Sequence, residues 1–305
     1  MGVFYLTGTR SLGSAMGMMT DFPIPVTRFA PSPSGYLHLG HAYSALLAYR
    51  EAQRQKGVFL LRIEDIDVTR CKDEYIDGIY EDLKWLGMEW PEPVLRQSEH
   101  FERYDQFLHV LEEADLVYPC FCTRKEIQAE IEKSPSAPHG PDGALYPGTC
   151  KDLDHVERKA RIERGDSHAW RIHMDKAVKL AGPLSFKDRI RGEVKVEPET
   201  CGDVVLARKD VPTSYHLSVV VDDALQHVSL VVRGEDLLHA THIHRILQTL
   251  LGFPEPEYLH HELMTDENGK RFAKRDKSLT IKAVRESGSS KEDVIRRLNV
   301  DIEKI

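Results

Sequence analysis

Two histidines, His38 and His41, stand three residues apart with Gly40 between them, directly after the stretch Arg28-Phe29-Ala30-Pro31-Ser32-Pro33-Ser34-Gly35-Tyr36-Leu37. Residues 26–30 read as a short strand, Pro31, Pro33 and Gly35 turn the chain, and a helix follows. The first turn of a helix presents N–H groups with no intrahelical partner at the positive end of its dipole, so it attracts phosphate. Gly40 lets a nucleotide approach the backbone, and two imidazoles can reach its phosphates. The plainer reading is that the histidines cap the helix or hold a metal.

Two further groups of residues could do chemistry. Cys120-x-Cys122 is followed, across a Pro/Gly-rich stretch, by Tyr146-x-x-x-Cys150. Thiolates are good zinc ligands, and a structural zinc wants four of them in a closed set. The plainer reading is three free cysteines in a small core. Late in the chain, Gly269-Lys270-Arg271-Phe272-Ala273-Lys274-Arg275 supplies a run of cations that, taken alone, is a solvated loop.

The elements that must position these residues follow an alternating pattern. A helix is predicted from His41 to about Arg54, and the apolar run 58–63 (VFLLRI) reads as a buried parallel strand. Ile76, Ile79, Tyr80, Leu83 and Leu86 keep helical spacing, with Gly87 placed to end that helix. Strand, helix, strand, helix implies a parallel sheet with crossovers. After Pro119 the pattern breaks: 134–148 reads as loop, and short strands are expected at 169–172 and 192–196. The α/β pattern then resumes, with strands expected at 217–221 and 228–232 and a helix from Asp236 to Leu250 before Gly252. The expected division is a tail over 1–20, two halves of a catalytic domain over 21–118 and 201–252, an insertion over 119–200, and a signature-loop segment with a short helical part over 253–305. Met18 or Met19 is a candidate start.

Bulk properties fit this organisation. The 305 residues are 41% hydrophobic and 30% charged, a composition of soluble globular proteins. A net charge of −8 argues against nonspecific coating of nucleic acid, while leaving room for a local basic face. Five cysteines, an odd and sparse count, suit a reducing cytoplasm better than a disulfide framework. No apolar run approaches the ~20 residues that span a bilayer.

Taken together, Arg28–His41 resembles the HIGH signature of class I aminoacyl-tRNA synthetases, in the form used by glutamyl-tRNA synthetases. The late basic run resembles the partner signature KMSKS in its K-L-S-K-R version, with Arg271, Phe272 and Ala273 replacing the first Lys, the Leu and the Ser. Leu61-Arg62-Ile63-Glu64-Asp65-Ile66-Asp67 resembles LRIEDTD. Pro212–Asp223 resembles PTYHLAVVVDD with Ser214 as an extra residue, and Val231–Leu237 resembles the VRGEDL that follows. The resemblance covers about residues 26–280. It implies a Rossmann-like α/β catalytic domain with a zinc-binding insertion and no anticodon-binding domain.

The same resemblance assigns roles. His38, His41 and Lys274 are the catalytic residues; with Gly40 and Arg271 they bind ATP, which enters with Mg2+ as substrate. Arg28, Ser32, Glu64, Tyr215 and Arg233 form a glutamate pocket. A substrate with two carboxylates and one ammonium calls for two cations and one anion, and planar guanidinium forks suit carboxylates. Loss of the Ser hydroxyl at Ala273 weakens the expected grip on the triphosphate. The CxC…YxxxC spacing resembles the zinc site of the glutamyl-queuosine branch, in which Tyr146 completes the set with Cys120, Cys122 and Cys150; His139 is the alternative fourth ligand.

That branch implies tRNA-independent activation of L-glutamate and its transfer to queuosine at the wobble position of tRNA(Asp), by a cytoplasmic monomer with no membrane association. The alternatives are a ligase charging the 3′ end of tRNA(Glu), a catalytically silent nucleotide- or RNA-binding relative, and a pantetheine-phosphate type of nucleotidyl transferase. In the last, the RIEDID segment and the Arg28/Arg233 pair have no job.

Overall fold

The structure, a computed structural model, describes residues 24–133, 139–140, 143–264 and 280–298. The first half runs β1 (Val26–Phe29), α1 (Leu39–Arg54), β2 (Val58–Ile63), α2 (Asp73–Trp85), β3 (Leu95–Arg96) and α3 (Phe101–Glu113). The middle holds β4 (Val117–Cys120), α4 (Arg124–Lys133), β5 (His139–Gly140), β6 (Gly143–Ala144), α5 (His155–Glu163), β7 (Ala169–Ile172), α6 (Met174–Ala181), β8 (Ser185–Asp188), β9 (Gly192–Lys195) and β10 (Val205–Ala207). The chain closes with α7 (Tyr215–Leu225), β11 (Leu230–Gly234), α8 (Leu238–Leu251), β12 (Glu257–His261), α9 (Ile281–Glu286) and α10 (Lys291–Leu298).

Seven strands form one sheet in the order β3-β2-β1-β11-β12-β8-β9. All neighbours pair parallel except the last two. The chain leaves β1 toward β2 and β3 on one side and returns at β11 on the other. The carboxyl ends of β1 and β11 therefore flank a topological switch point, where open α/β sheets bind ligands. A second, antiparallel sheet in the order β10-β7-β4 carries the cysteine region.

Helix α1 lies close on the sheet because the residues facing it are small: Ala42, Ala45, Ala48 and Ala52 are all buried with Leu46 and Leu47. The same core takes in Phe59, Leu61 and Ile63 of β2, Ile79 and Leu83 of α2, and Ile281, Val294 and Leu298 from the two last helices. A second core joins α3, α6, α7 and α8. Gly252, at φ 67°, takes the left-handed turn that ends α8.

One expected strand is corrected. Residues 217–221 do not form a strand; they lie within α7. The run of valines suits a strand intrinsically, but residues 217–223 are buried all round, and a helix enclosed on every side loses its amphipathic periodicity. Tertiary burial outweighs the β-branched preference here. Strand β11 starts two residues later than expected. Among the described residues no helix is long and apolar enough to cross a membrane.

Candidate active site

A cavity of about 620 Å³ opens at the switch point, and Arg28, Ser32, His38, Gly40, His41, Glu64, Tyr215 and Arg233 all line it. The sheet explains the convergence. Arg28 is the penultimate residue of β1, Glu64 follows β2, Arg233 sits near the end of β11, and Tyr215 opens α7. The expected ATP-binding residues Arg271 and Lys274 lie outside the described residues. Met264 lines the cavity, and Thr280 pairs with His38.

The two histidines do cap α1. His38 Nδ1 accepts from Gly40 N at 3.1 Å, and His41 Nδ1 accepts from His38 N at 3.3 Å. Their rings stack with centroids 3.7 Å apart. A Cβ on Gly40 would come within 3.1 Å of the His38 ring, so glycine keeps room for this cap. Capping does not compete with phosphate binding. With both Nδ1 atoms accepting, each neutral ring carries its proton on Nε2, a donor.

Arg28 is less available than its sequence position suggested. Its Nε and Nη2 donate to Asp223 at 3.0 and 3.3 Å. Asp223 also accepts from Arg62 Nη1 at 2.8 Å, and Arg62 Nη2 donates to Glu64 at 3.0 Å. Asp222 lies 4.0 Å from Arg62 and 3.7 Å from Arg103, and accepts from Gln97 and Tyr104. Three arginines (28, 62 and 103) thus meet three carboxylates (64, 222 and 223). Burial raises the Glu64 pKa against the pull of Arg62 and Arg28. Burial also presses upward on Asp223, but the two arginines outweigh it and hold its pKa below the ordinary range.

Arg233 is placed differently. It is 5% exposed, and among the described residues no carboxylate lies within ion-pair distance. Its partners are neutral: His260 Nε2 at 3.1 Å, Tyr215 Oη at 3.1 Å, His244 Nδ1 at 3.3 Å and Thr241 Oγ1 at 2.7 Å. Burial and the neighbouring Arg233 hold the His244 pKa well below its ordinary value, so that ring is neutral. A buried cation without a counter-charge is unfavourable unless a ligand supplies the anion.

The cysteines gather as expected. The sulphurs of Cys120, Cys122 and Cys150 lie within 4.8 Å of one another. Tyr146 Oη sits 3.3 Å from Cys120 Sγ and 3.6 Å from Cys122 Sγ, and accepts from Cys150 N at 2.9 Å. Zinc–sulphur bonds of about 2.3 Å in a tetrahedron place sulphurs roughly 3.8 Å apart, so three thiols and a phenol oxygen this close fit such an ion. The side chain of His139 lies outside the described residues.

Several residues were quoted in motifs without a role. Arg62 is fully buried inside β2, and a charge within an apolar run demands partners; that was the available signal. Asp222 and Asp223, in the apolar stretch of α7, gave the matching one. Asp188, Thr241, His244 and His260 carried no local signal.

The family described as tRNA synthetases class I (E and Q), catalytic domain, matches residues 25–301. A glutamyl-Q tRNA(Asp) synthetase of Rhodobacter capsulatus is 48% identical over 90% of this chain and 99% of its own. A glutamate–tRNA ligase of Aquifex aeolicus is 38% identical over 86% of this chain, but over only 54% of its own length. The crystal structure of a glutamate tRNA ligase from Elizabethkingia meningosepticum in complex with its amino acid superposes with a TM-score of 0.71 at 30% identity, covering 83% of this chain and 52% of that one. This chain therefore spans about half the length of the ligases and nearly all of the glutamyl-Q relative; it belongs to the class I tRNA synthetases of the E and Q type, with the glutamyl-Q tRNA(Asp) synthetases among its relatives.

Proposed function

We propose that this cavity activates L-glutamate with Mg-ATP and passes the glutamyl group to queuosine of tRNA(Asp), in the cytoplasm. The observation that carries the reading is the charge pattern. Buried Arg28 and Arg62 and the part-exposed Arg103 are matched by Glu64, Asp222 and Asp223, buried Arg233 is left over, and glutamate carries one net negative charge. Arg233 takes the side-chain carboxylate with Tyr215, while Glu64 and Ser32 hold the ammonium end. Beyond its two bonds to Asp223 and one to Val232 O, Arg28 keeps one N–H each on Nη1 and Nη2 for the α-carboxylate.

Activation joins an oxygen of that α-carboxylate to the α-phosphorus of ATP as the bond to pyrophosphate breaks. The Nε2–H groups of His38 and His41 stabilise the phosphate charge that builds up, by position and electrostatics without an enzyme nucleophile. Lys274 and Arg271 supply further cations. The segment that bears them runs between Met264, which lines this cavity, and Thr280, which pairs with His38, and this supports the assignment. Cys120, Cys122, Tyr146 and Cys150 would hold a structural zinc that shapes the β4-β7-β10 region and takes no part in the chemistry. The 48% identity to the glutamyl-Q relative, against 38% to the ligase, supports queuosine over the 3′ end.

Two measurements test this. ATP–pyrophosphate exchange should require glutamate and proceed without tRNA; absence of exchange points to a silent binder. Labelled glutamate should enter tRNA(Asp) only when queuosine is present and should be lost in mild base. Label on the 3′ end of tRNA(Glu) instead would overturn the acceptor assignment.

A further inference from the structure

We propose that Asp188 and His260 are a positioning couple for Arg233, and that they make the cavity select a dicarboxylic amino acid over its amide by orienting the guanidinium without cancelling its charge. The inference rests on the glutamate reading above and names the groups that set its specificity.

Three neighbouring strands build the couple. Arg233 on β11 and His260 on β12 are direct register partners, and Asp188 ends β8 on the other side of β12, opposite Tyr258. Asp188 Oδ2 lies 2.6 Å from His260 Nδ1. Its other oxygen accepts from the backbone N–H groups of Ile190 and Arg191, each at 2.9 Å. A carboxylate only accepts, so the imidazole proton sits on Nδ1 and the Nε2 lone pair faces Arg233 Nε at 3.1 Å and the Thr241 hydroxyl at 3.0 Å. Asp188 and His260 are each 1% exposed or less, so water does not compete for these bonds.

The rest of the cage is also neutral. His244 Nδ1 accepts from Arg233, which places its own proton on Nε2, and that atom lies 3.2 Å from His216 Nδ1. Nε, Nη1 and one N–H of Nη2 are thereby occupied, and one Nη2 N–H is not assigned among these bonds. The contrast with Arg28 is direct. Asp223 grips that fork with two bonds and neutralises it, whereas Asp188 acts on Arg233 through an imidazole and fixes its plane alone. Glutamate supplies the missing anion. Glutamine leaves the buried cation uncompensated, the kind of mismatch that discriminates strongly in a dry site.

The test uses the full chain, with L-glutamate and L-glutamine binding followed by calorimetry beside the exchange assay. In His260→Gln the amide can accept from Arg233 and donate to Asp188, so glutamate affinity should stay within about threefold. His260→Ala should raise the KM for glutamate roughly 10- to 100-fold and leave the KM for ATP within about threefold. His260→Glu puts a carboxylate on Arg233 and should collapse the glutamate-over-glutamine ratio toward one. Asp188→Asn frees the wrong tautomer and should fall between the Gln and Ala variants. The proposal is overturned if His260→Ala and His260→Glu keep the parent ratio. It is also overturned if KM for ATP and melting temperature shift in step with KM for glutamate, since that is the mark of a purely structural role. An unaltered chain that binds glutamate selectively without exchanging pyrophosphate would overturn the activation reading and keep this one. A chain that exchanges with glutamate and glutamine alike would do the reverse.

Discussion

The switch-point cavity and the cysteine cluster both concentrate polar side chains, but they are assembled on different scales. In the cavity, Arg28 and Asp223 are 195 residues apart in sequence, and Arg62 and Asp223 are 161 apart. In the cluster, Tyr146, Cys122 and Cys150 fall within 28 residues of one another. The cavity is held by buried ion pairs between sheet and helix that exist before any ligand arrives. The cluster has no comparable internal balance: burial pushes the Cys122 thiol up to about 11, while hydrogen bonds draw Cys150 down against its own burial. A charged scaffold can be completed without its ligand, whereas three thiols around a phenol oxygen have the make-up of a site that a cation could complete.

The largest test of that contrast is metal removal. One zinc per chain is expected, and chelation should release it and lower the melting temperature. Structural zinc sites contribute on the order of 10 kcal/mol of apparent binding energy in small domains. Cys150→Ser should abolish the stoichiometry. Glutamate-dependent exchange should fall less than about tenfold, because the cavity is built by another sheet. Exchange that vanishes as fast as zinc leaves would show that the two regions are not independent.

Within the cavity, Arg62 and Arg233 should behave as opposites. Arg62→Met leaves Asp223 and Glu64 buried and short of a partner, which should cost about 3–5 kcal/mol in denaturant unfolding. Arg233→Met leaves only neutral acceptors behind, so stability should change by less than about 1 kcal/mol or rise, while kcat/KM for glutamate falls by roughly 30-fold or more. A stability loss for Arg233→Met as large as that for Arg62→Met would erase the distinction between scaffold cation and ligand cation.

The next effect is one of pH. Burial, opposed by Asp188 and reinforced by Arg233 and Arg191, brings the His260 pKa from 6.5 down to about 4. Between these values the unfolded chain binds a proton that the folded chain refuses, so stability is fully present above 6.5 and is lost as pH falls toward 4. At about 1.4 kcal/mol per unit, the loss over that window is on the order of 3 kcal/mol. His260→Gln should flatten the slope of unfolding free energy against pH over the same window. An unchanged slope would assign the acid sensitivity elsewhere.

How much of this was legible in the sequence follows the same division of scale. The gathering of the three thiols could be read from spacing, since Cys120, Cys122 and Cys150 lie on one short stretch. The cavity residues could be read because each ends a strand or opens a helix in a recognisable segment. What could not be read was partnership. Nothing near Arg28 announces Asp223, and Asp188 meets His260 only because β8 pairs with β12. For the same reason nothing near Arg28, assigned to the glutamate pocket, shows that Asp223 holds its fork. Residues 217–221 of α7 read as a strand because a stretch enclosed on every side shows no polar face to reveal its period.

The smallest expected effect concerns Thr280, the residue that pairs with His38. Its hydroxyl caps α9 by accepting from Ala283 N at 3.1 Å, and its backbone pairs with His38. Ile281 N donates to Leu37 O at 2.8 Å, so α9 is tied to the turn that delivers the histidines. Thr280→Ala removes the cap and leaves the backbone pairing, and caps of this kind are worth about 1 kcal/mol. The expected result is a loss of that size in unfolding free energy, with the KM for ATP changed by less than about threefold and the KM for glutamate unchanged. Thr280→Ser should restore the stability. A rise in the KM for ATP that Ser does not rescue would mean that the methyl group, rather than the cap, holds the end of this segment against His38.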